Sequence, residues 1–395
     1  MTSRGFFIKS DNILYEHDPE KIRWETLPDG DEGLRAPKGP VSDETNLVPM
    51  NDGSLYCTYR TIDGYMCHAY SRDGGHTWTP PAYATYAPGG RRIKHNRAYC
   101  PVWKLSNGKY LLWFNNHGGK ATHSTPKSYY SGRNPVWIAG GVEKNGFLHW
   151  TEPEIFMYDT DLRKNKGMAT GISYPDLLEV DREVYMTETQ KTIARVHKID
   201  TVFLQALWEQ FDVRQEARRG LVLKLENEQL KPGSRVEMPV LPELGHGGFT
   251  VDFRIRLDHL SKGQVILDTR DENGKGLVLE TTGRSTIALS LSDGEHQFTW
   301  DSDPGTHPGT LMAGKWQHVG VVVDGLSKVI SFVVNGKLND GGAVREYGFG
   351  RLPPELKDIN GDPNATLARD LSGELKVLRI YDRHLMTTEL IGNSR

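Results

Sequence analysis

The sequence predicts an all-β chain in two parts joined by one helix, and three observations carry that prediction. The 42 glycines and 21 prolines among 395 residues punctuate short runs in which apolar and polar residues alternate. Three segments of similar organisation follow one another, at 41–86, 97–156 and 171–199. Each has an apolar strand, a tight turn, an aromatic-rich strand and a third strand. The alternation breaks at 200–211, where Phe203, Leu204, Leu207, Trp208 and Phe211 fall on one helical face behind a candidate N-cap, Asp200.

Composition removes several function classes. A net charge of −3 gives no global pull toward nucleic acid. No window approaches the roughly 20 apolar residues of a spanning helix, so no membrane span is expected. Cys57, Cys67 and Cys100 are odd in number, lack C-x-x-C spacing and sit inside apolar runs, which reads as buried thiols. Residues 1–9 lack the apolar stretch of roughly 7 to 15 residues that a signal peptide needs. The expectation is a cytoplasmic protein or a natural start further upstream.

In chain order, Phe6 to Lys9 and Ile22 to Glu25 read as strands separated by Asp/Pro/Gly-rich loops. The first full segment pairs Glu44–Val48 with Leu55–Arg60 across the turn Asn51-Asp52-Gly53. After it, Ser71, Asp73, Gly75, Thr77 and Trp78 match S-x-D-x-G-x-T-W, the Asp-box pattern of β-propeller blades. Asp accepts backbone N–H bonds there, Gly takes a positive φ and Trp fills the gap to the next blade. Asp73 and Trp78 are therefore structural. The other two segments turn at Asn107-Gly108 and Asp181-Arg182, and Trp150 resembles the end of a degenerate Asp box. The predicted organisation is a propeller segment at 1–199, a helix and charged connector at 200–219, and a second all-β domain at 220–395.

That second domain alternates strands and turns, notably at Phe249–Leu257, Gln317–Val323 and Val329–Val334, as a sandwich does. Phe249 to Leu257, Gly314-Lys315-Trp316, Asn335-Gly336 and the run Gly373 to Arg383 resemble laminin-G-like, concanavalin-type jelly rolls. The resemblance implies a β-sandwich of about 175 residues. It also brings in a structural calcium, for which Asp268, Asp271, Asn335 and Asp340 are the candidates; no other cofactor is expected.

Five polar residues stand at strand ends of the repeats: Glu44, Arg60, Arg133, Tyr174 and Glu188. A propeller converges such positions on its axis, which turns separated residues into a cluster. Glu44-Thr45-Asn46-Leu47-Val48 with Tyr59-Arg60 is similar to the E-P-x-x-V and x-x-R strand pair of the sialidases and trans-sialidases. Ser131-Gly132-Arg133 resembles the strand bearing that family's third arginine, with Arg97 as a competing choice. Ser173-Tyr174 and Tyr185 to Glu188 are similar to its A-Y-S and L-Y-x-x-x-E segment.

The resemblance implies an exo-glycosidase on a six-bladed propeller, secreted or periplasmic in most members, that in some continues into a laminin-G-like domain. Tyr174 would be the nucleophile and Glu44 its base. Arg60 and Arg133 would grip the substrate carboxylate, and Glu188 would orient a further arginine. The chemistry explains those residue types. An anomeric carbon bearing a carboxylate repels an anionic nucleophile, whereas a phenol is neutral on approach. A phenol of pKa near ~10 needs a base, and arginines fix a carboxylate bidentately.

The family's first arginine and its acid/base Asp have no convincing counterpart before the Glu44 strand. Arg35-Ala36-Pro37 stands too close to that strand to be the first arginine. Three repeats and a remnant do not close six blades, so the expectation is roughly half a propeller, shortened at its N-terminus.

His68, His95, His117 and His123 lack metal-ligand spacing, and no metal is expected on them. His95 and His117 flank the middle strand pair and are acid or base candidates. The expected partner is a glycan or polysaccharide. A carbohydrate-binding protein without turnover, and a propeller-based polysaccharide lyase, remain the alternative readings.

Overall fold

The computed structural model describes residues 2–118, 132–159, 171–189, 194–305 and 309–395. The chain divides into two units, one of Met1–Thr151, Ile155–Met157 and Arg163–Trp208, the other of Glu152–Glu154, Tyr158–Leu162 and Glu209–Arg395. Apart from short helices, the regular elements in both are antiparallel strands.

The first unit opens with a ribbon of β1 (Phe7–Lys9) and β2 (Glu25–Leu27), Phe7 opposite Leu27. The second strand lies further along the chain than the expected 22–25. The Asn12 carboxamide donates to Lys21 O at 3.0 Å and accepts from Arg23 N at 2.9 Å, which holds that stretch as a loop.

Three sheets follow in the predicted positions. β3 (Asp43–Pro49), β4 (Leu55–Arg60), β5 (Cys67–Ser71) and β6 (Ala82–Tyr83) pair in sequence order. So do β7 (Val102–Lys104), β8 (Tyr110–Phe114), β9 (Val136–Lys144) and β10 (Phe147–Trp150), with β11 (Glu154–Met157) also pairing β9. The third sheet is β12 (Ser173–Val180), β13 (Glu183–Thr189) and β14 (Ala194–Ile199). Its first hairpin turns on Asp181 and Arg182, both at positive φ (51° and 68°), the backbone of a two-residue type I′ turn.

The sheets are stitched side by side. Thr58 donates to Cys100 O at 2.7 Å, and Asn46 accepts from Val102 N at 2.8 Å. Ser106 donates to the Glu179 carboxylate through N and Oγ at 2.8 and 2.6 Å.

The predicted box closes as its chemistry requires. Thr77 N donates to both Asp73 oxygens at 2.9 and 3.1 Å, and Trp78 Nε1 donates to Gly75 O at 2.9 Å. Gly75 holds φ 103°, where a side chain is strained. The Trp78 indole stacks on Phe7 of β1 at 5.3 Å. Hydrogen bonds from Thr77 and Ser71 hold the Asp73 carboxyl down at about 2. Cys57, Cys67 and Cys100 are free and buried.

Helix α1 (Thr201–Glu209) begins where expected, with Val202 N donating to Asp200 Oδ1 at 2.8 Å. Leu204, Leu207 and Trp208 are buried among Trp113, Val136 and Ile138. Trp208 Nε1 donates to Tyr110 O at 3.0 Å. Gly140 of β9 makes room for that indole: a Cβ there would stand 2.7 Å from Trp208 Cδ1. Phe211 lies beyond the helix and is exposed.

The second unit is a two-sheet sandwich. Its strands are β15 (Leu221–Glu226), β16 (Arg235–Glu237), β17 (Phe249–Leu257), β18 (Val265–Asp268), β19 (Gly276–Thr281), β20 (Ile287–Ser292), β21 (Gln297–Asp301), β22 (Trp316–Asp324), β23 (Val329–Val334), β24 (Lys337–Leu338), β25 (Gly350–Arg351), β26 (Asn364–Leu367) and β27 (Gly373–Tyr381). One sheet runs β15-β27-β17-β22-β23-β24 with β25 on β23; the other runs β16-β26-β18-β19-β20-β21. Phe249, Val251, Phe253 and Ile255 of the first meet Leu277, Leu279, Leu289 and Leu291 of the second in one buried cluster.

A helix not read from the sequence, α2 (Thr387–Ser394), follows β27. Its N–H groups at Thr387 and Thr388 donate to the Glu154 carboxylate at 2.9 and 3.0 Å, and Glu154 belongs to this unit.

The four calcium candidates are not gathered into a site. Asp268 accepts from Arg270 at 2.8 and 2.9 Å and from Arg369 at 3.1 Å, so its charge is already answered. Asn335, on the opposite sheet's hairpin, accepts from His318 N at 3.0 Å. Asp271 and Asp340 close local turns onto Lys275 N and Gly342 N, each at 2.9 Å. Among the described residues no group of three or more His, Cys, Asp or Glu is placed to hold a metal.

Candidate functional site

Two irregularities mark the site before any side chain is considered. Pairing of β3 with β4 shifts register between Asp43 and Asn46, and pairing of β12 with β13 shifts between Ser173 and Asp176. Glu44 and Tyr174 lie inside these bulges at φ 50° and 46°. For residues carrying a Cβ that region costs roughly 1–2 kcal/mol each, and bulges re-aim side chains beside functional sites.

The aim is mutual. Tyr174 Oη donates to Glu44 Oε1 at 3.1 Å, although 130 residues separate the two in sequence. Arg60 Nη1 meets the same oxygen at 2.6 Å. The other edge of Arg60 is bidentate on Asp43, with Nε at 2.7 Å and Nη2 at 3.0 Å. Burial lowers the affinity of this guanidinium for its proton, but its hydrogen bond to Asp43 and the charges of Glu44 and Asp43 outweigh that, so its pKa is raised.

Tyr174 is 41% exposed, so its phenol is open to solvent while hydrogen-bonded to a carboxylate. The Tyr99 ring lies nearly parallel to it at 6.2 Å, and the Tyr99 hydroxyl accepts from Asn46 Nδ2 at 3.5 Å. Asn46 thus joins the Glu44 strand to the aromatic pair.

Arg133 is buried beneath. Its Nη1 donates to Ser173 Oγ at 2.8 Å and Nη2 to Arg97 O at 3.0 Å, so it ties the residue before Tyr174 to the 97 loop. Arg97, the competing choice, therefore contributes its backbone to the same link. Glu188 is brought in from β13, its side chain fully buried, with Arg195 Nη1 at 3.6 Å and His197 Nε2 at 3.7 Å. Glu188 and Arg195 are paired across β13 and β14. His123 and Ser131 lie outside the described residues.

His95 is not available as an acid or base. Nε2 faces Ala98 O at 2.8 Å, Nδ1 accepts from Asn115 N at 3.2 Å, and burial pushes its pKa down to about 3. It is a structural imidazole that fixes the 95–98 turn against the end of β8. His117 Nε2 faces Gly132 O at 2.8 Å.

Sequence reasoning singled out His95 and His117 but passed over their neighbours Lys94, Asn96, Asn115 and Asn116, all buried. Asn115 N donates to His95 Nδ1 at 3.2 Å, which joins the two polar runs, 94–96 and 115–117, and Arg133 Nη2 donates at 3.0 Å to Arg97 O, one residue beyond Asn96. Their signal is visible in the chain: an unbroken polar tripeptide directly after the fully buried strand Tyr110–Phe114. Asn116 also holds a positive φ of 52°.

Residues 231–390 match the laminin G family model described as the concanavalin A-like lectin/glucanases superfamily. No curated protein matches. Among solved structures, a Trypanosoma rangeli sialidase in complex with 2,3-difluorosialic acid is similar at 13% identity, covering 95% of this chain and 64% of that chain, with a TM-score of 0.31. A T. rangeli sialidase mutant displaying trans-sialidase activity is similar at 14% identity, covering 94% and 66%, with a TM-score of 0.29. The Ruminococcus gnavus IT-sialidase CBM40 bound to α2,3-sialyllactose is similar at 18% identity over 44% of this chain and 99% of that chain, with a TM-score of 0.31. The present chain thus spans less than two thirds of the first of these. Superpositions this loose transfer no residue roles.

Proposed function

We propose that this protein is a sialidase-like glycosidase that acts on a terminal acidic sugar with Tyr174 as nucleophile and Glu44 as its base. The observation that carries the proposal is the Tyr174–Glu44 hydrogen bond at 3.1 Å, made by two residues held at positive φ. Tyr174 Oη attacks the anomeric carbon while its proton passes to Glu44 Oε1. The leaving group departs with inversion and takes a proton from solvent. Water then attacks the anomeric carbon from the face the leaving group vacated and gives its proton to solvent, the bond to Tyr174 Oη breaks, Glu44 returns its proton to the phenolate, and configuration is retained overall.

Arg60 holds Glu44 in place through Nη1, and one N–H on each terminal nitrogen remains for a substrate carboxylate. Arg133 acts one layer below, by fixing Ser173 beside the nucleophile. Glu188, buried on β13, lies 3.6 Å from Arg195 Nη1 and 3.7 Å from His197 Nε2 and would steady that end of the sheet.

The test is release of the fluorophore from an aryl sialoside, whose good leaving group needs little acid assistance, by wild type and by Tyr174→Phe. Turnover by the wild type and its loss in the variant is the expected result; equal turnover by both refutes the nucleophile. The match of residues 231–390 to a family of lectins and glucanases favours a second reading, glycan binding without turnover. Glycan-array binding by a wild type that releases no fluorophore would establish it.

A further inference from the structure

A cleft of about 300 Å³ opens in the first unit, away from the Tyr174–Glu44 pair. His68 and Tyr70 of β5, Tyr83 of β6, and Phe147 and Leu148 of β10 line it, with Pro80 and Pro88. These strands are the third and fourth of their sheets, whereas Glu44 and Tyr174 stand on the first strands of theirs.

The walls are mostly apolar, and the hydroxyls of Tyr70, Thr79 and Tyr83 are already engaged. Tyr70 Oη accepts from Leu148 N at 3.1 Å, Tyr70 N donates to Thr79 Oγ1 at 3.1 Å, and Tyr83 Oη donates to Asp63 at 2.7 Å. Tyr70 and Phe147 meet edge-on at 5.2 Å. Arg72 braces both rings at 5.4 and 5.5 Å and is itself held by Asp52 and Ser54. Among the described residues no Lys, Arg, Asp or Glu lines the cleft.

Tyr56 is fully buried, burial keeps its hydroxyl protonated, and that hydroxyl lies 3.3 Å from His68 Nδ1. Burial drives the imidazole pKa down to about 4, so the ring is neutral near pH 7 and carries one proton. With the Tyr56 hydroxyl donating to Nδ1 that proton sits on Nε2, and Nε2 has no hydrogen-bond partner among the described residues.

The geometry points to a second carbohydrate site that takes an uncharged, N-acylated sugar, its acyl oxygen accepting from His68 Nε2–H and its methyl and ring faces against Tyr70, Tyr83 and Phe147. The volume is at the lower end of small-molecule sites, which suits one hexose ring. A neutral donor in apolar walls accepts a carbonyl and gives a carboxylate or ammonium group no counter-charge. The inference stands independently of any chemistry at Tyr174.

The test titrates the full chain with N-acetylglucosamine, glucosamine and glucose by calorimetry or ligand-observed NMR. N-acetylglucosamine is expected to saturate one site, with the other two at least fivefold weaker. His68→Phe, which removes the donor and keeps a ring, should weaken it roughly fivefold to tenfold, the worth of one hydrogen bond. Phe147→Ala, at an exposed ring, should weaken it comparably without disturbing the fold, and Tyr174→Phe should leave it unchanged. Equal binding of the three sugars, no binding at all, insensitivity to both cleft variants, or loss in Tyr174→Phe overturns the assignment.

Discussion

Glu44→Gln separates chemistry from stability at the proposed site. The substitution keeps the shape of the side chain and one oxygen. That oxygen can still accept from Tyr174 Oη and from Arg60 Nη1, which meet Glu44 Oε1 at 3.1 and 2.6 Å. Arg60 is not stranded, because Asp43 remains bidentate on its other edge. The stability cost is then that of weakening one partly exposed charge contact, about 1 kcal/mol. An amide cannot take the phenolic proton, and positioned general bases contribute roughly 10²–10⁴-fold. At about 1.4 kcal/mol per decade, the expected barrier increase is about 3–5 kcal/mol. The assay is kcat/KM on a fluorogenic aryl sialoside beside a thermal melt of the same preparation. Activity within tenfold of wild type refutes the base assignment. Inactivity accompanied by a collapsed melting transition refutes the claim that the pair is catalytic and makes it a structural clamp.

Two predictions concern the scaffold. Gly140→Ala puts a methyl 2.7 Å from Trp208 Cδ1 and 3.1 Å from Leu207 Cγ, and should destabilise the first unit by about 1–3 kcal/mol in denaturant melts, with a cavity-forming Trp208→Phe partner restoring part of the loss. Burial raises the Glu154 carboxyl to about 7 against the N–H groups of Thr387 and Thr388. Below about 4.5 it is protonated in folded and unfolded chains alike; between 4.5 and about 7 only the folded state keeps the proton, so stability of the second unit should fall across that window as pH rises, by on the order of 3 kcal/mol. Glu154→Gln should flatten that slope, and an unchanged slope removes Glu154 as its source.

The elements legible in the sequence are those whose determinants lie close together in the chain. Asn51-Asp52-Gly53 and Asp181-Arg182 hold the chemistry of their own turns, and the Asp box closes on residues within a few positions of Asp73. Helix α1 shows because its apolar stripe and its Asp200 cap are contiguous. Helix α2 does not, because Gly392, Asn393 and a Thr-Thr start are poor helix formers and its cap comes from Glu154. The shifted strand near residue 25 was hidden in the Asn12 carboxamide for the same reason.

At the site the pattern repeats. Residue types at strand ends pick out Glu44, Arg60, Arg133, Tyr174 and Glu188 as candidates. They do not reveal that Asp43 claims one edge of Arg60, that Ser173 anchors Arg133, or that Glu188 faces Arg195 and His197. Those pairings depend on register, and register at both bulges departs from the alternation a sequence displays. His95 illustrates the limit: flanking a strand pair made it a candidate, and only three-dimensional placement shows both ring nitrogens satisfied.

The bulges at Asp43–Asn46 and Ser173–Asp176 also make the protein unusually sensitive to changes of chain length at two short stretches. Deleting one residue inside either would let regular pairing run straight through, and the side chain now delivered to the shared hydrogen bond would turn to the opposite face of its sheet. The flanking hairpin would still close and the apolar faces would still be covered. Loss of the Tyr174–Glu44 hydrogen bond by a single-codon deletion, with the scaffold intact, is therefore one mutational step away.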